Sequence, residues 1–237
     1  MSTLDRRRIL GPANVKPLIF GLSSSQSKQE NKIEEEEEED INSQISKTFI
    51  KTGLITNANG SSYLEYNGNI ISVSIYGPRP VRGTFTEKTS LDVHLDDNTE
   101  TISDLLNKKF CNYIENNFTT VINLNKYPKS GISIFINVLS INNFQKYKYK
   151  LLSLISDATT IALINSGIEI IDIVSSTFDL NSNTVISFIK SNEIVGLLSD
   201  SNKIYKDVND FNKIIKKLGN DSNIVKNSLI NYLMSGN

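Results

Sequence analysis

The 237-residue sequence contains one cysteine, one histidine, five prolines and no tryptophan. The single cysteine, Cys111, excludes an intramolecular disulfide framework and a CxxC metal site, which favours a reducing compartment such as the cytosol or the nucleus. No apolar run approaches the roughly 18 residues that a membrane-spanning helix needs, and no apolar stretch follows the arginines near the N-terminus. We therefore predict a protein that is neither secreted nor membrane-spanning.

Common cofactor and catalytic motifs are also absent. The sequence has no GxGxxG motif, P-loop, HExxH motif or zinc-ligand spacing. Its one histidine, His94, lies between Asp92 and Asp96, a setting compatible with a general base. We favour a solvated surface histidine, because no nucleophile motif accompanies it. The sequence thus predicts no cofactor, no metal site and no catalytic residue.

The charge of the chain is unevenly distributed. The net charge is −1, but residues 21–45 hold eight acidic residues, including the run Glu34–Asp40, against only Lys28 and Lys32. The rest of the chain is therefore net positive. A basic body attracts nucleic acid, although lysine-rich surfaces are also common on soluble proteins of other kinds, so both interpretations stay open.

Residues 21–46 combine serine, glutamine and like charge without any aromatic residue. Such a segment cannot bury enough apolar area to offset the entropy of ordering, so we predict a disordered acidic insertion. It separates an N-terminal element, residues 1–20, from a single folded domain, residues 47–237. We favour a tolerated surface insertion over an interaction tail that mimics nucleic acid.

The folded part alternates between strand and helix patterns. Apolar residues recur with period two as far as Leu95, which predicts a half-buried antiparallel sheet, and Thr101–Val121 then shows helical spacing. Leu151–Asn165 is apolar on nearly every side and predicts a buried helix that ends at Gly167. The remaining predictions are strands at Ile132–Leu139, Thr184–Ile189 and Ile194–Leu198 and amphipathic helices after Val208. The predicted fold class is α+β, with β-sheets packed on a central buried helix and C-terminal helices.

Two stretches carry a more specific signal. Gly60–Gly83 reads GSSYLEYNGNIISVSIYGPRPVRG, which predicts a hairpin with an Asn67-Gly68 turn and a second strand that stops at Gly77-Pro78. Tyr127–Leu139 reads YPKSGISIFINVL. Together with LDRRRILGP near the N-terminus, these stretches resemble the RNase PH family, whose members carry a GSA-type strand, a G-N-T turn and a GP stop in that order. The resemblance implies an RNase PH-like domain.

The resemblance fails at the positions where active members hold phosphate and metal. Active relatives carry Gly-Thr-Arg just before the buried helix, and the matching stretch of this chain places Leu152 at the arginine position. Lys148 and Lys150 do not reproduce the bidentate fork of an arginine. Active relatives also carry two aspartates beyond the buried helix, where this chain has Asp179 alone, with Asn183 or Thr184 at the second position.

Within the family, the resemblance therefore implies a non-catalytic RNase PH-like subunit of the eukaryotic RNA exosome core, similar to the Mtr-type subunits of fungi. Its expected partners are other RNase PH-like subunits in a six-membered ring, three RNA-binding cap subunits, an associated 3′–5′ exoribonuclease and single-stranded RNA. The expected role is ring assembly and RNA threading in rRNA processing and RNA decay. The expected location is the nucleus, nucleolus and cytoplasm.

Basic residues are the candidates for RNA contact. Arg79 and Arg82 flank Pro80 in a proline-stiffened loop, which holds arginines toward backbone phosphates at low entropic cost. Pairing with acids across a subunit interface is an equally weighted alternative. Lys126 and Lys129 beside Tyr127 are weaker candidates. Three further arginines, Arg6, Arg7 and Arg8, are expected to dock a neighbouring subunit.

Two other functions remain open. The first is an active phosphate-dependent 3′–5′ exoribonuclease with substituted ligands, drawn from Asp157, Asp172, Asp179 and the lysines near Lys148. We expect Asp157 instead to be a hydrogen-bonded acid at a helix end or an interface, and Asp179 to be a turn residue. The second is an α+β binding module unrelated to RNA, which the ordered match of the hairpin, the YPKSGI strand and the buried helix disfavours.

Overall fold

A computed structural model describes residues 47–81, 88–190, 193–199 and 208–235. All of them belong to the compact unit Glu39–Asn237. The predicted N-terminal element, the acidic insertion, Arg6 to Arg8 and Arg82 lie outside the described residues. The proposed division of the chain into domains stays a prediction.

The first part of the fold is a five-stranded sheet in the order β1-β2-β3-β5-β4. Its strands are β1 Phe49–Thr52, β2 Gly60–Tyr66, β3 Asn69–Pro80, β4 Ser90–Asp97 and β5 Ser130–Ser140. Helix α1, Asp104–Val121, and a 3₁₀ turn at Leu124–Lys126 connect β4 to β5. Within the described residues, no helix is long and apolar enough to cross a membrane.

The hairpin between β2 and β3 confirms the predicted turn. Asn67 and Gly68 have φ values of 46° and 78°, the left-handed pair that a two-residue turn of this kind requires. The predicted stop at Gly77-Pro78 is wrong, since β3 continues to Pro80 with a register shift between Tyr76 and Arg79. Proline is tolerated in a strand at such an irregularity, because no regular ladder hydrogen bond is broken there.

The pairing of β4 with β5 differs from the predicted antiparallel arrangement. These two strands are parallel, with Leu91 opposite Ile132 and Leu95 opposite Ile136. Parallel strands need a crossover connection, and helix α1 supplies it by returning the chain to the end of the sheet at which β4 began. The remaining pairs of the five-stranded sheet are antiparallel, as predicted.

The predicted central helix is α2, Phe144–Asn165, which begins earlier than the predicted Leu151 and has a kink at Tyr147, where φ is −116° and ψ is 24°. Every residue from Tyr149 to Leu163 is buried. The helix packs on β2 and β3 of the first sheet and on β6 and β7 of a second sheet. Gly167, with φ +73°, follows its last turn in the left-handed conformation that commonly ends a helix.

The second sheet is antiparallel and three-stranded, in the order β6-β7-β8. Its strands are β6 Ser175–Asp179, β7 Thr184–Ile189 and β8 Glu193–Ser199. The C-terminal helical segments form one continuous helix, α3 Val208–Met234, which passes through Gly219 and packs on β6 and β7. The α+β fold class is therefore confirmed, with one C-terminal helix in place of several.

A buried polar network joins the second sheet to α1. The Ser187 hydroxyl lies 2.7 Å from the Tyr113 hydroxyl and 2.6 Å from that of Ser176, and it accepts a hydrogen bond from Asn117 Nδ2 at 3.1 Å. Burial raises the pKa of Tyr113 to about 12. Each polar group in this network has a partner, so its burial does not carry the cost of an unmade hydrogen bond.

Asp157 lies in the middle of α2, and its side-chain Oδ1 accepts a hydrogen bond from the Ser176 backbone N–H at 2.9 Å. It is therefore hydrogen-bonded as predicted, but it lies in the helix interior rather than at a helix end. Burial raises its pKa well above the usual value, and the one backbone hydrogen bond opposes this shift without cancelling it. A neutral carboxyl group is thus favoured in the folded protein.

The close approach of β2 to α2 predicts a large effect at Gly60. A Cβ atom there would lie 2.5 Å from the Ala162 carbonyl oxygen and against the Ser166 backbone nitrogen. We expect Gly60→Ala to lower the free energy of unfolding by about 2–3 kcal/mol, because backbone atoms cannot give way easily. Gly53→Ala is the control: its φ is +72° with no atom within 4 Å, so only backbone strain of about 1 kcal/mol applies. Equal losses in urea denaturation would contradict the close-approach explanation.

The burial of Asp157 predicts a pH-dependent stability. Its folded-state pKa is raised, so its contribution to stability is fully present below the unfolded pKa of about 3.9 and is lost as the pH rises toward the folded pKa. We expect Asp157→Asn to gain stability relative to wild type as the pH rises from 4 to 8 in urea denaturation. A difference that does not change with pH would show that the carboxyl group is not buried in its neutral form.

Asp172→Asn is a control for which the pH dependence of stability should have the opposite sign. Partial burial alone raises the pKa of Asp172, but hydrogen bonds from Lys226 and from the backbone of Ile173 and Lys190 lower it overall. Its contribution is therefore present above the unfolded pKa and is lost as the pH falls through the folded pKa. The loss of unfolding free energy caused by Asp172→Asn, relative to wild type, should become smaller as the pH falls. The gain caused by Asp157→Asn should become larger as the pH rises.

Candidate functional site

Two of the predicted basic residues come together at one end of the five-stranded sheet. Arg79 lies opposite Gly131 in the β3–β5 ladder, and the backbone N–H of Val81 donates to the Lys129 carbonyl oxygen at 3.1 Å. Arg79 and Lys129 are both exposed. The β3–β5 ladder therefore brings these two exposed cations to the same end of the sheet, although they are 50 positions apart in the sequence.

The Thr89 side chain contacts the backbone of the segment that carries Lys126 and Lys129. The Thr89 hydroxyl lies 2.9 Å from the Leu124 carbonyl oxygen and 2.6 Å from that of Tyr127. Lys126 itself forms an ion pair with Glu169, and this hydrogen bond raises the pKa of Lys126 and lowers that of Glu169. Lys126 is thus less available to an anionic ligand than its position in the sequence indicated.

Arg79 is oriented by an aromatic ring. Its guanidinium carbon lies 5.2 Å from the centroid of Tyr76, within the range of a cation–π interaction. Pro78 and Pro80 on either side restrict the backbone, as the sequence predicted. The arginine is therefore held at the rim of the sheet rather than extended freely into solvent.

The face of the sheet away from α2, which we call the outer face, carries a row of rings. Phe135 on β5 lies 5.6 Å from Tyr76 on β3 in an edge-to-face arrangement and 4.9 Å from His94 on β4 in a stacked one. The sequence analysis singled out His94, but it did not identify these three residues, the aromatic row, as a set. The sequence could not reveal this row, because the position of His94 opposite Phe135 depends on the parallel register of β4 and β5.

An open depression of about 650 Å³ covers part of the aromatic row. Its lining includes Tyr76 and Phe135, Arg79 at one end, and Asp92 and Asp96 on β4. His94 is exposed, as predicted for a surface histidine. The depression therefore combines ring surfaces, one cation and two carboxylates on a single face of the sheet.

The positions that match the phosphate cradle of active relatives lie inside α2. Leu152 is fully buried, so it presents neither a donor nor a charge to solvent. Lys150 is 4% exposed, and its ammonium group donates to the Tyr66 hydroxyl at 2.9 Å and lies 4.2 Å from the Tyr66 ring centroid. Leu152 lies beyond the kink at Tyr147 and within the regular part of α2, so its backbone N–H serves the helix rather than an anion.

The carboxylates of the substituted-ligand hypothesis are separately engaged. Asp179 accepts hydrogen bonds from the backbone N–H and the hydroxyl of Ser182 at 2.8 and 2.6 Å, which matches the predicted turn residue. Asp172 pairs with Lys226 on α3, and Asp157 is bound to Ser176. In the part of the chain that the structure describes, no group of three or more His, Cys, Asp or Glu residues is arranged to hold a metal ion.

Comparison of the sequence with known proteins gives consistent relatives. Exosome complex component mtr3 of Schizosaccharomyces pombe is 27% identical over 190 residues, which cover 76% of this chain and 69% of that protein. Exosome complex component MTR3 of Chaetomium thermophilum is 24% identical over 199 residues, covering 72% and 69%. Exosome complex component Rrp41 of the archaeon Nitrosopumilus maritimus is 26% identical over 140 residues, covering 55% of each.

Solved structures share the fold. The crystal structure of rice Rrp46 superposes with a TM-score of 0.64 at 15% identity, over 78% of this chain and 94% of that one. An archaeal exosome core chain gives a TM-score of 0.63 at 13% identity, over 77% and 86%. Residues 44–169, more than half of the chain, match the RNase PH family, described as the 3′ exoribonuclease family, domain 1. This chain therefore belongs to the RNase PH family.

Proposed function

We propose that this chain is a non-catalytic subunit of the RNA exosome ring, which helps to assemble the core and to thread single-stranded RNA for 3′–5′ processing and degradation. The observation that carries the proposal is the similarity to exosome component Mtr3 from two fungi, which extends over 76% and 72% of this chain. The shared fold of exosome core chains supports it.

The proposed partners follow from this role. They are other RNase PH-like subunits in a six-membered ring, three RNA-binding cap subunits and an associated 3′–5′ exoribonuclease that performs the cleavage. The proposed location is the nucleus, nucleolus and cytoplasm, where such a complex processes rRNA and degrades RNA. Docking of a ring neighbour by Arg6, Arg7 and Arg8 is part of the proposal.

The absence of catalysis is supported by the state of the residues that replace the phosphate site. Leu152 is buried in α2, and the Lys150 ammonium group is held by Tyr66 beneath the surface. An arginine at this position offers a planar fork of donors, which neither side chain reproduces. The carboxylates of Asp157 and Asp172 accept hydrogen bonds from the protein itself.

RNA contact is proposed for Arg79 and Lys129 at the end of the sheet, with Arg82 beyond the described residues. Contacts with phosphates give binding that does not depend on sequence, which suits a subunit that guides RNA. Lys126 is a weaker contributor, because Glu169 already neutralises it.

The catalytic part of the proposal predicts a clear biochemical result. Affinity purification through the full-length chain, followed by native mass spectrometry, should recover a multi-subunit core rather than a homo-oligomer. The isolated chain, given a 3′-labelled RNA and inorganic phosphate, should release no nucleoside diphosphates. A homo-oligomer that releases nucleoside diphosphates would establish the alternative, an active exoribonuclease with substituted ligands.

The proposed RNA-binding residues predict a salt-dependent effect in the assembled complex. Arg79→Ala with Lys129→Ala should weaken binding of oligouridine, and the slope of log K against log salt should fall by roughly 0.7 for each phosphate that the variant no longer neutralises. The control is Lys108→Ala with Lys109→Ala, which removes two exposed cations from α1. An equal loss of affinity in both double variants would show that only the overall charge matters.

A further inference from the structure

We propose that the depression on the outer face is a docking site for an extended, arginine-bearing segment of a partner polypeptide. The depression is lined by Tyr76 and Phe135 of the aromatic row and by Asp92 and Asp96 on β4. His94 lies beside it, stacked on Phe135 and between the two aspartates along β4. This proposal does not depend on the role in the exosome ring, since it rests on the chemistry of this face alone.

The depression is lined by two carboxylates, Asp92 and Asp96, and by one cation, Arg79, so its net charge is negative and the negative charge lies on β4. Asp92 and Asp96 are exposed on either side of His94, and the structure gives neither carboxylate a hydrogen bond or ion pair with the described residues. The neighbouring positions on β5 are Ser133 and Asn137, which carry no charge. A cationic segment is therefore attracted along β4, whereas the phosphates of RNA are repelled there.

The rings favour arginine over lysine. A guanidinium group stacks on an aromatic face and keeps its N–H donors in the plane, where they reach carboxylates in pairs. The Arg79 guanidinium already covers the Tyr76 ring in this way, 5.2 Å from its centroid, so that ring is not the one offered to a ligand. The exposed ring of His94, stacked on Phe135, offers a similar surface directly between the two carboxylates.

The strand geometry sets the spacing of the arginines. Asp92 and Asp96 are four residues apart on a regular strand, so their Cα atoms are separated by about 13 Å. An extended peptide places side chains of the same face at that distance when three residues lie between them. The site should therefore prefer Arg-x-x-x-Arg, in which both arginines face the sheet and can each reach one carboxylate.

Peptide binding to the full-length chain tests the proposal. Fluorescent peptides with two arginines in a Gly/Ser background would be titrated in the spacings Arg-x-x-x-Arg and Arg-Arg, together with a Lys-x-x-x-Lys peptide. We expect the first to bind at least threefold more tightly than the other two. The double variant Asp92→Asn with Asp96→Asn should bind it at least fivefold more weakly, because it removes both charges and keeps the side-chain shape.

Two controls make the result specific. Glu100→Gln with Glu115→Gln removes two exposed carboxylates elsewhere and should leave peptide affinity unchanged. Circular dichroism would verify that each variant is folded. The proposal is wrong if the wild-type chain does not bind the peptide, if both double variants lose affinity equally, or if all three peptides bind alike. Oligouridine that displaces the peptide, and binds the Asp92→Asn, Asp96→Asn variant as tightly as wild type, would assign the depression to RNA instead.

Discussion

The burial of α2 from Tyr149 to Leu163 is the constraint on which the rest of the structure depends. The helix is covered on one side by β2 and β3 and on the other by β6 and β7, so both sheets share it as their core. Several of its buried hydroxyl groups donate to carbonyl oxygens, Thr159 to that of Ile155 and Ser153 to that of Ser176, whereas the buried Ser156 hydroxyl has no partner among the described residues. A helix enclosed in this way leaves no room for further atoms between it and the sheets, which is why a glycine stands at position 60, where a Cβ would meet the helix backbone.

The same constraint explains the loss of the phosphate cradle. An anion site at the start of a helix needs free backbone N–H groups and a donor side chain that reaches solvent. In this chain the helix begins at Phe144, before the stretch that aligns with the cradle, so that Leu152 becomes part of the core. Lys150 is also buried, and its ammonium group donates a hydrogen bond to the Tyr66 hydroxyl. Burial of the stretch Tyr149–Leu152 and binding of phosphate at that place are thus alternatives.

The outer face of the five-stranded sheet, unlike α2, is only partly buried. The inner residues of β5, such as Ile134 and Ile136, are fully buried, while Phe135 between them remains half-buried on the outer face. Asp92 and Asp96 are exposed on β4 and line the same depression as Phe135. The basic end of the sheet, with Arg79 and Lys129, and the acidic side, with Asp92 and Asp96, therefore present two different kinds of surface.

Local features of the sequence predicted local structure. The Asn67-Gly68 turn, the strand periodicity of the hairpin, the apolar run of α2 and the end of that helix at Gly167 depend on residues within a few positions of one another, and each was confirmed. The family followed from the same motifs. The parallel pairing of β4 with β5, the continuation of β3 beyond Gly77-Pro78, the Ser187 network and the aromatic row were decided only by the tertiary structure. Each of these depends on a register or a contact between residues far apart in the chain, and periodicity shows which face a side chain occupies but not which strand lies beside it.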